Sequence, residues 1–164
     1  MKFTAHIITG ALLLATPVAF AQSANANASA TIITSLSLVN TTPLSFGAIV
    51  PGSSAGTVVV SPTDGTRTLS GVTSGGGSGA AASFTATGTG NQSFTITLPS
   101  SINISDNAGT PHTMLVDTFT SDPSGTGTLS SGTATFGVGA KLHVAANQTP
   151  NAYSGSFTVS IVYQ

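Results

Sequence analysis

Ionisable side chains are so few that every one can be asked what chemistry it could do. Beyond residue 21 the acids are Asp64, Asp106, Asp117 and Asp122, the bases Arg67 and Lys141, and the histidines His112 and His143. No glutamate or cysteine occurs. The densest cluster is "DNAGTPHTMLVD" (106–117), where Asp106, His112 and Asp117 could approach one another around a metal ion. A transition-metal site needs three or four converging ligands and gains most from thiolates or several imidazoles, so this set falls short. Asp106 in "SDNAG" better suits a turn, its carboxylate accepting from backbone N–H groups. Calcium could draw on Asp117, Asp122 and carbonyl oxygens, but the ordered ligand loop of an EF-hand is missing. Nucleophilic catalysis needs a base beside the nucleophile and a group orienting that base, and glycoside cleavage needs two opposed carboxylates. Serines everywhere single out none. His143 in "AKLHVAAN" alternates away from Leu142 and Val144, toward solvent. "SGGGSG" has neither the spacing of a dinucleotide site nor a lysine opening a helix. The expectation is no enzyme, no cofactor and no metal.

Charged residues make up 4% of the chain, against about 25% in typical soluble domains. Ser, Thr, Asn and Gly must therefore keep the surface wet. Two cations cannot neutralise a run of phosphates, so nucleic acid is excluded as a partner.

The first residues read as a leader. Lys2 supplies a positive start, "IITGALLLA" (7–15) a short apolar run, Pro17 a break, and Ala19-Phe20-Ala21 the small-x-small signature that predicts cleavage before Gln22. The run is shorter than the roughly 20 residues that span a bilayer, and no later segment reaches that length. The expected mature product is an exported chain with no integral membrane segment, stabilised without disulfides.

Behind the leader, turn signals such as "PGSSAG", "SPTDGT", "SDNAGTP" and "SDPSGTGT" recur about every ten residues, separated by runs rich in Val, Ile, Thr and Phe. No window carries a helical stripe. The fold class expected is all-β, an antiparallel β-sandwich of seven to ten strands with an extended N-terminal strand. Six phenylalanines, Phe46, Phe84, Phe94, Phe119, Phe136 and Phe157, are core candidates. "VTSGGGSGAA" (72–81) reads as a long hairpin loop within one domain.

One stretch exceeds what a strand needs. In "ANANASATIITSLSL" (24–38) the alternate positions Ala24, Ala26, Ala28, Ala30, Ile32, Leu36 and Leu38 are apolar, with Thr34 the only break among them, while Asn25, Asn27, Ser29, Thr31, Ser35 and Ser37 between them are polar. Fifteen extended residues would reach about 50 Å, where strands average about 5 to 6 residues. Either one long edge strand or an untethered extension (22–29) could account for this.

The order of leader, alternating extension, "PLSFGAIVPGSSAGTVVVSPTDGTRTLSGV", "FTITLP" and "VGAKLHVAANQTPNAYSGSFTVSIVYQ" closely resembles an exported bacterial family known only as a domain of unknown function, number 4402. Phe46, Gly47, Ile49, Pro51 and Gly52 and the C-terminal segment carry the likeness. More distantly, both ends resemble subunits of chaperone–usher fimbriae. Phe157, Val159, Ile161 and Tyr163 are similar to the last pilin strand, which a periplasmic chaperone grips by β-augmentation. Pilins commonly carry a glycine near the position of Asn151 and many contain a disulfide, and this chain departs on both counts. The likeness implies an immunoglobulin-like, pilin-like β-sandwich lacking one strand, completed by the N-terminal extension of the next subunit. Residues 1–21 then form the leader, 22–33 the extension with donor candidates Ala24, Ala26, Ala28, Ala30 and Ile32, and 34–164 the sandwich. The implied role is a structural subunit of a surface fibre or coat. Its partners would be copies of itself, a periplasmic chaperone and an outer-membrane usher. The alternative is a monomeric secreted sandwich binding a carbohydrate or a protein, and a hydrolase comes third.

Overall fold

The computed structural model describes residues 21–106 and 108–164. The leader expected over residues 1–20, with Ala19 of the cleavage motif, lies outside the described residues. The chain divides into Met1–Thr31 and Ile32–Gln164. In the first part, residues 21–31 form no strand and each is exposed, Ala21 and Gln22 included.

The second part bears out the all-β, antiparallel expectation. Its strands are β1 (Ser37–Thr42), β2 (Ala48–Val50), β3 (Gly56–Val60), β4 (Arg67–Ser70), β5 (Thr73–Gly76), β6 (Ala82–Thr87), β7 (Ser93–Thr97), β8 (Ser101–Ser105), β9 (Thr113–Asp122), β10 (Thr126–Thr128), β11 (Thr133–Val144) and β12 (Ser160–Tyr163). Among the described residues these twelve exceed the seven to ten expected because β5, β8 and β10 form outside the strand-like runs, while some of those runs are cut short. "LSFGAIV" yields only β2, and "SGSFTVSIVY" only the four residues of β12. The extended N-terminal strand is corrected too: residues 24–33 form none, and pairing begins at Ser37. An extended backbone with no neighbouring edge leaves its N–H and C=O groups to water and gains no ladder.

β11 is the spine of the larger sheet. One of its edges pairs with β9 from Gly137 to Leu142. The other pairs first with β6, from Thr133 to Val138, and then with β3, from Lys141 to Val144. Where the partner changes, the chain leaving β3 presses onto the spine. A Cβ on Gly137 would strike the carbonyl oxygen of Pro62, and one on Gly139 that of Val60. Only glycine fits there. β1 lies outside β6, β4 outside β3 and β8 outside β9.

A second sheet, β10–β7–β12, covers the half of the spine beside β6. Phe84, Phe136, Val138, Ala82 and Ala86 meet Phe94, Ile96 and Leu129 there, with the Phe84 and Phe136 rings stacked 5.5 Å apart. Full burial of such side chains stabilises by about 1.5–3 kcal/mol each. Beside β3 the spine carries another cluster, Val58, Met114, Val116, Ala140, Leu142 and Val144. No strand of the second sheet contributes to it; Leu44, Phe46, Ile49 and Tyr153 cover it from connecting segments and β2. Of the six phenylalanines, Phe84, Phe94 and Phe136 are buried, and Phe46, Phe119 and Phe157 half-buried.

Residues 72–81 are not the hairpin loop expected. β5, within them, pairs with β2, while β4 and β6 have different partners. Arg67 shows why. Its Nη1 donates to the carbonyls of Phe46 (2.8 Å) and Ala48 (3.1 Å), and its Nη2 to Ser74 Oγ and the carbonyls of Gly77 (2.8 Å) and Gly76 (3.4 Å). One guanidinium staples both strands of the β2–β5 ribbon to β4.

Candidate functional site

The residues first considered for chemistry sort into two separate Asp–His pairs. Asp106 Oδ1 accepts from the backbone N–H of His112 (3.0 Å) and Ala108 (3.2 Å), closing the turn after β8. Its Oδ2 accepts from His112 Nδ1 (2.8 Å) and Asn151 Nδ2 (3.3 Å). The His112 bond first, then those N–H groups and Asn151, hold the carboxyl down to about 2 against the opposing effect of burial. On the outer face of the larger sheet, His143 Nε2 lies 3.0 Å from Asp117 Oδ2. This approach is too bent for a linear hydrogen bond. Asp117 Oδ1 accepts from Thr118 Oγ1 (2.8 Å). His143, then Thr118, then the charges of His143 and Lys141 lower the Asp117 carboxyl. His143 was expected to face solvent; it stands on the outer face, its side chain 41% exposed, and leans on Asp117. Among the described residues, no three His, Cys, Asp or Glu side chains converge. Neither pair has a nucleophile positioned against its imidazole by any hydrogen bond described.

The other candidates lie at the two ends of the chain. β12 pairs with β7, setting Ile161 opposite Ile96 and Tyr163 opposite Phe94, and among the described strands its outer edge has no partner. Phe157 and Val159 belong to no strand, yet their side chains are half-buried against the same core. β1 likewise pairs only with β6, with Leu36 and Leu38 half-buried and its outer edge unpaired. The two edges come together at one end, where Tyr163 Oη donates to the Thr34 carbonyl (3.0 Å) and accepts from Thr89 N–H (2.8 Å). At the other end Leu44 and Phe46, which follow β1, and Gly155 and Phe157, which precede β12, line a cavity of about 620 Å³. Its apolar floor includes Met114, Val116, Leu142 and Val144. β1 and the C-terminal run thus point in opposite directions, with the cavity beside the end of the first and the start of the second.

Of the sequence-derived site residues, the structure packs Phe157, Val159, Ile161 and Tyr163 against one core cluster, and Phe157 also lines the cavity. Ala24, Ala26, Ala28 and Ala30 are exposed, and Ile32 is 96% exposed. Leu44, Phe46, Met114 and Leu142 were not singled out as site residues. The signal for Leu44 and Phe46 was a pair of large apolar residues right after Pro43, in a segment too turn-rich to be a core strand. For Met114 and Leu142 the sequence offered nothing beyond core alternation.

These features define an antiparallel β-sandwich in which, among the described strands, β1 and β12 each leave one edge unpaired, with an apolar cavity beside the segments that adjoin them. The chain belongs to the family described as Domain of unknown function (DUF4402), which matches residues 36–163. No curated protein and no solved structure matches it. The family match begins at Leu36, the first half-buried residue of the sandwich, so the exposed extension precedes it.

Proposed function

We propose that this protein is an exported structural subunit that assembles with copies of itself by strand donation, the extension of one copy pairing with an open edge of the next. One observation carries the reading: among the described strands β1 and β12 each have an unpaired edge beside half-buried apolar side chains, an apolar cavity adjoins the segments that follow β1 and precede β12, and the same chain bears an exposed segment with strand periodicity. Unpaired edges beside apolar side chains invite β-augmentation. An added strand would satisfy the edge it joins and cover apolar side chains beside it, Leu36 and Leu38 at β1 or Phe157, Val159 and Ile161 at β12. On this reading the protein passes through the periplasm to the cell surface as part of a fibre or coat. A periplasmic chaperone would occupy that edge before donation, and an outer-membrane usher would be the exit.

Size-exclusion chromatography of the mature chain with and without residues 22–33 tests this. The intact chain should elute as multimers that grow with concentration, and the truncated chain as a folded monomer. An intact chain that is monomeric at every concentration would defeat the proposal. It would leave the monomeric binding module, for which the cavity is a pocket of ordinary ligand size.

A further inference from the structure

The two halves of the interior are closed by different means. Where the second sheet lies over the spine, Phe84, Phe94, Ile96 and Phe136 pack together, and none is more than 8% exposed. In the half beside β3 the floor is equally regular: β8 supplies Ile102 and Ile104, β9 Met114 and Val116, and β11 Leu142 and Val144. Its cover is no part of the second sheet. It consists of the segments 44–51 and 148–157, and the second of these reads "QTPNAYSGSF". Apart from Tyr153 and Phe157 that segment has only small or polar side chains, too little bulk to close-pack against a floor of large ones. A cavity of about 620 Å³ remains. We infer that it is a binding site for an uncharged, mostly hydrocarbon small molecule.

The lining fixes the class of ligand. No Asp, Glu, Lys, Arg or His is in it, so a charged guest would be buried without a counter-charge. Polar groups of the lining are engaged already. Tyr153 Oη donates to the Thr149 carbonyl (2.7 Å) and accepts from Gln148 Nε2 (2.8 Å), and Asn151 Nδ2 donates to Asp106 Oδ2 (3.3 Å). The backbones of Ser45 and Ser154 exchange hydrogen bonds with Ala80 and Ser105. A sugar would have to bury hydroxyls against the isoleucine, leucine, valine and methionine side chains of the floor, where none finds a partner. A hydrocarbon guest gives up nothing polar and restores dispersion contacts that the floor lacks. The volume falls within the roughly 300–1,000 Å³ of small-molecule sites, and an apolar cavity of only about 150 Å³ already admits benzene. Such a site serves a single copy and does not depend on strand donation.

Met114, on the floor, is the only methionine besides Met1, so methyl-labelled methionine puts one NMR signal inside the site. Phenylnaphthylamine, uncharged at neutral pH, is the probe, with anilinonaphthalene sulfonate, the same rings bearing one sulfonate, and cellobiose for comparison. Phenylnaphthylamine should move the Met114 signal saturably, one molecule per chain. The sulfonate should bind more weakly by roughly tenfold or more, because its charge would be buried unpaired, and cellobiose should move nothing. Ile49→Glu places a carboxylate in the lining, whereas Val50→Glu places it on the next residue, which is outside the lining and 49% exposed. The first should weaken phenylnaphthylamine by roughly tenfold or more, and the second should leave its affinity unchanged. If Ile49→Glu does not fold, the probes compared on the unmodified chain decide by themselves. Equal affinity for the two naphthalenes, a shift caused by cellobiose, or a probe that brightens while the Met114 signal stays in place would overturn the inference. So would probe affinity that fades as multimers grow, which would show the cavity filled by a second copy and leave strand donation standing. A chain that binds the probe and stays monomeric upholds the site and removes only the donation reading.

Discussion

At the scale of single residues, Asp106 is a structural clamp. It joins the turn after β8 to Asn151, in the segment that lines the cavity. Its carboxyl is held down to about 2 from an ordinary value of 3.8. The folded state therefore binds the proton less readily than the unfolded chain, and stability rises with pH through that interval. The contribution is complete above pH 3.8 and disappears as the pH falls through about 2. Asp106→Asn should flatten the acid limb of a denaturation midpoint measured across that window, relative to the unmodified chain. An acid limb of unchanged slope would show that Asp106 does not carry it. The turn role of Asp106 was legible in "SDNAG", because an aspartate accepts from N–H groups a few residues on. Its bond to Asn151 was not, since nothing local marks a partner 45 residues away.

At the scale of elements, strand periodicity named most of the strands but not their neighbours. The alternation in "TATFGVGAKLHVA" marks β11 correctly. That β11 exchanges β6 for β3 along one edge depends on Gly137 and Gly139 meeting Pro62 and Val60, a contact made only in three dimensions. Gly137→Ala should cost at least the 1–3 kcal/mol, roughly, of an overpacked core, read from chemical denaturation. β5 was hidden for a related reason: its glycines and serine carry no strand signature, and its place beside β2 comes from Arg67. Hydrogen bonds from a charged donor are worth about 1.5–3 kcal/mol each, less where solvent competes. Arg67→Lys keeps the charge but cannot reach two strands with one planar fork. It should speed amide exchange in residues 46–50 and 73–77 while leaving β7 and β12 unchanged. Equal protection of the ribbon in both proteins would show that its staple lies elsewhere.

At the scale of the whole molecule, the proposed donor and acceptor lie at different places on one chain, so on that reading each added copy would expose a new extension or a new acceptor edge. Such head-to-tail contacts build open filaments unless rotation closes a ring. With charged residues at 4% of the chain, the drive must be apolar burial and backbone pairing. Assembly should therefore hold or strengthen between about 0.1 and 1 M salt, conditions that screen charge contacts. Light scattering that falls across that range would point to an ionic interface instead. Ile32 separates assembly from folding most cleanly. In the single chain its side chain is 96% exposed, so Ile32→Asp removes nothing from the sandwich, and the melting temperature of the monomer should not move. At the acceptor edge the same change replaces the one large donor side chain with an unpaired buried charge, at a cost of several kcal/mol. Multimers should then be lost from a non-boiled gel and fibres from electron micrographs. Ser29→Asp, on the polar face of the same segment, adds the same charge to the same extension and should assemble normally. If both variants assemble equally well, the acceptor edge does not read the apolar face of residues 24–32, and the strand that joins it must come from elsewhere.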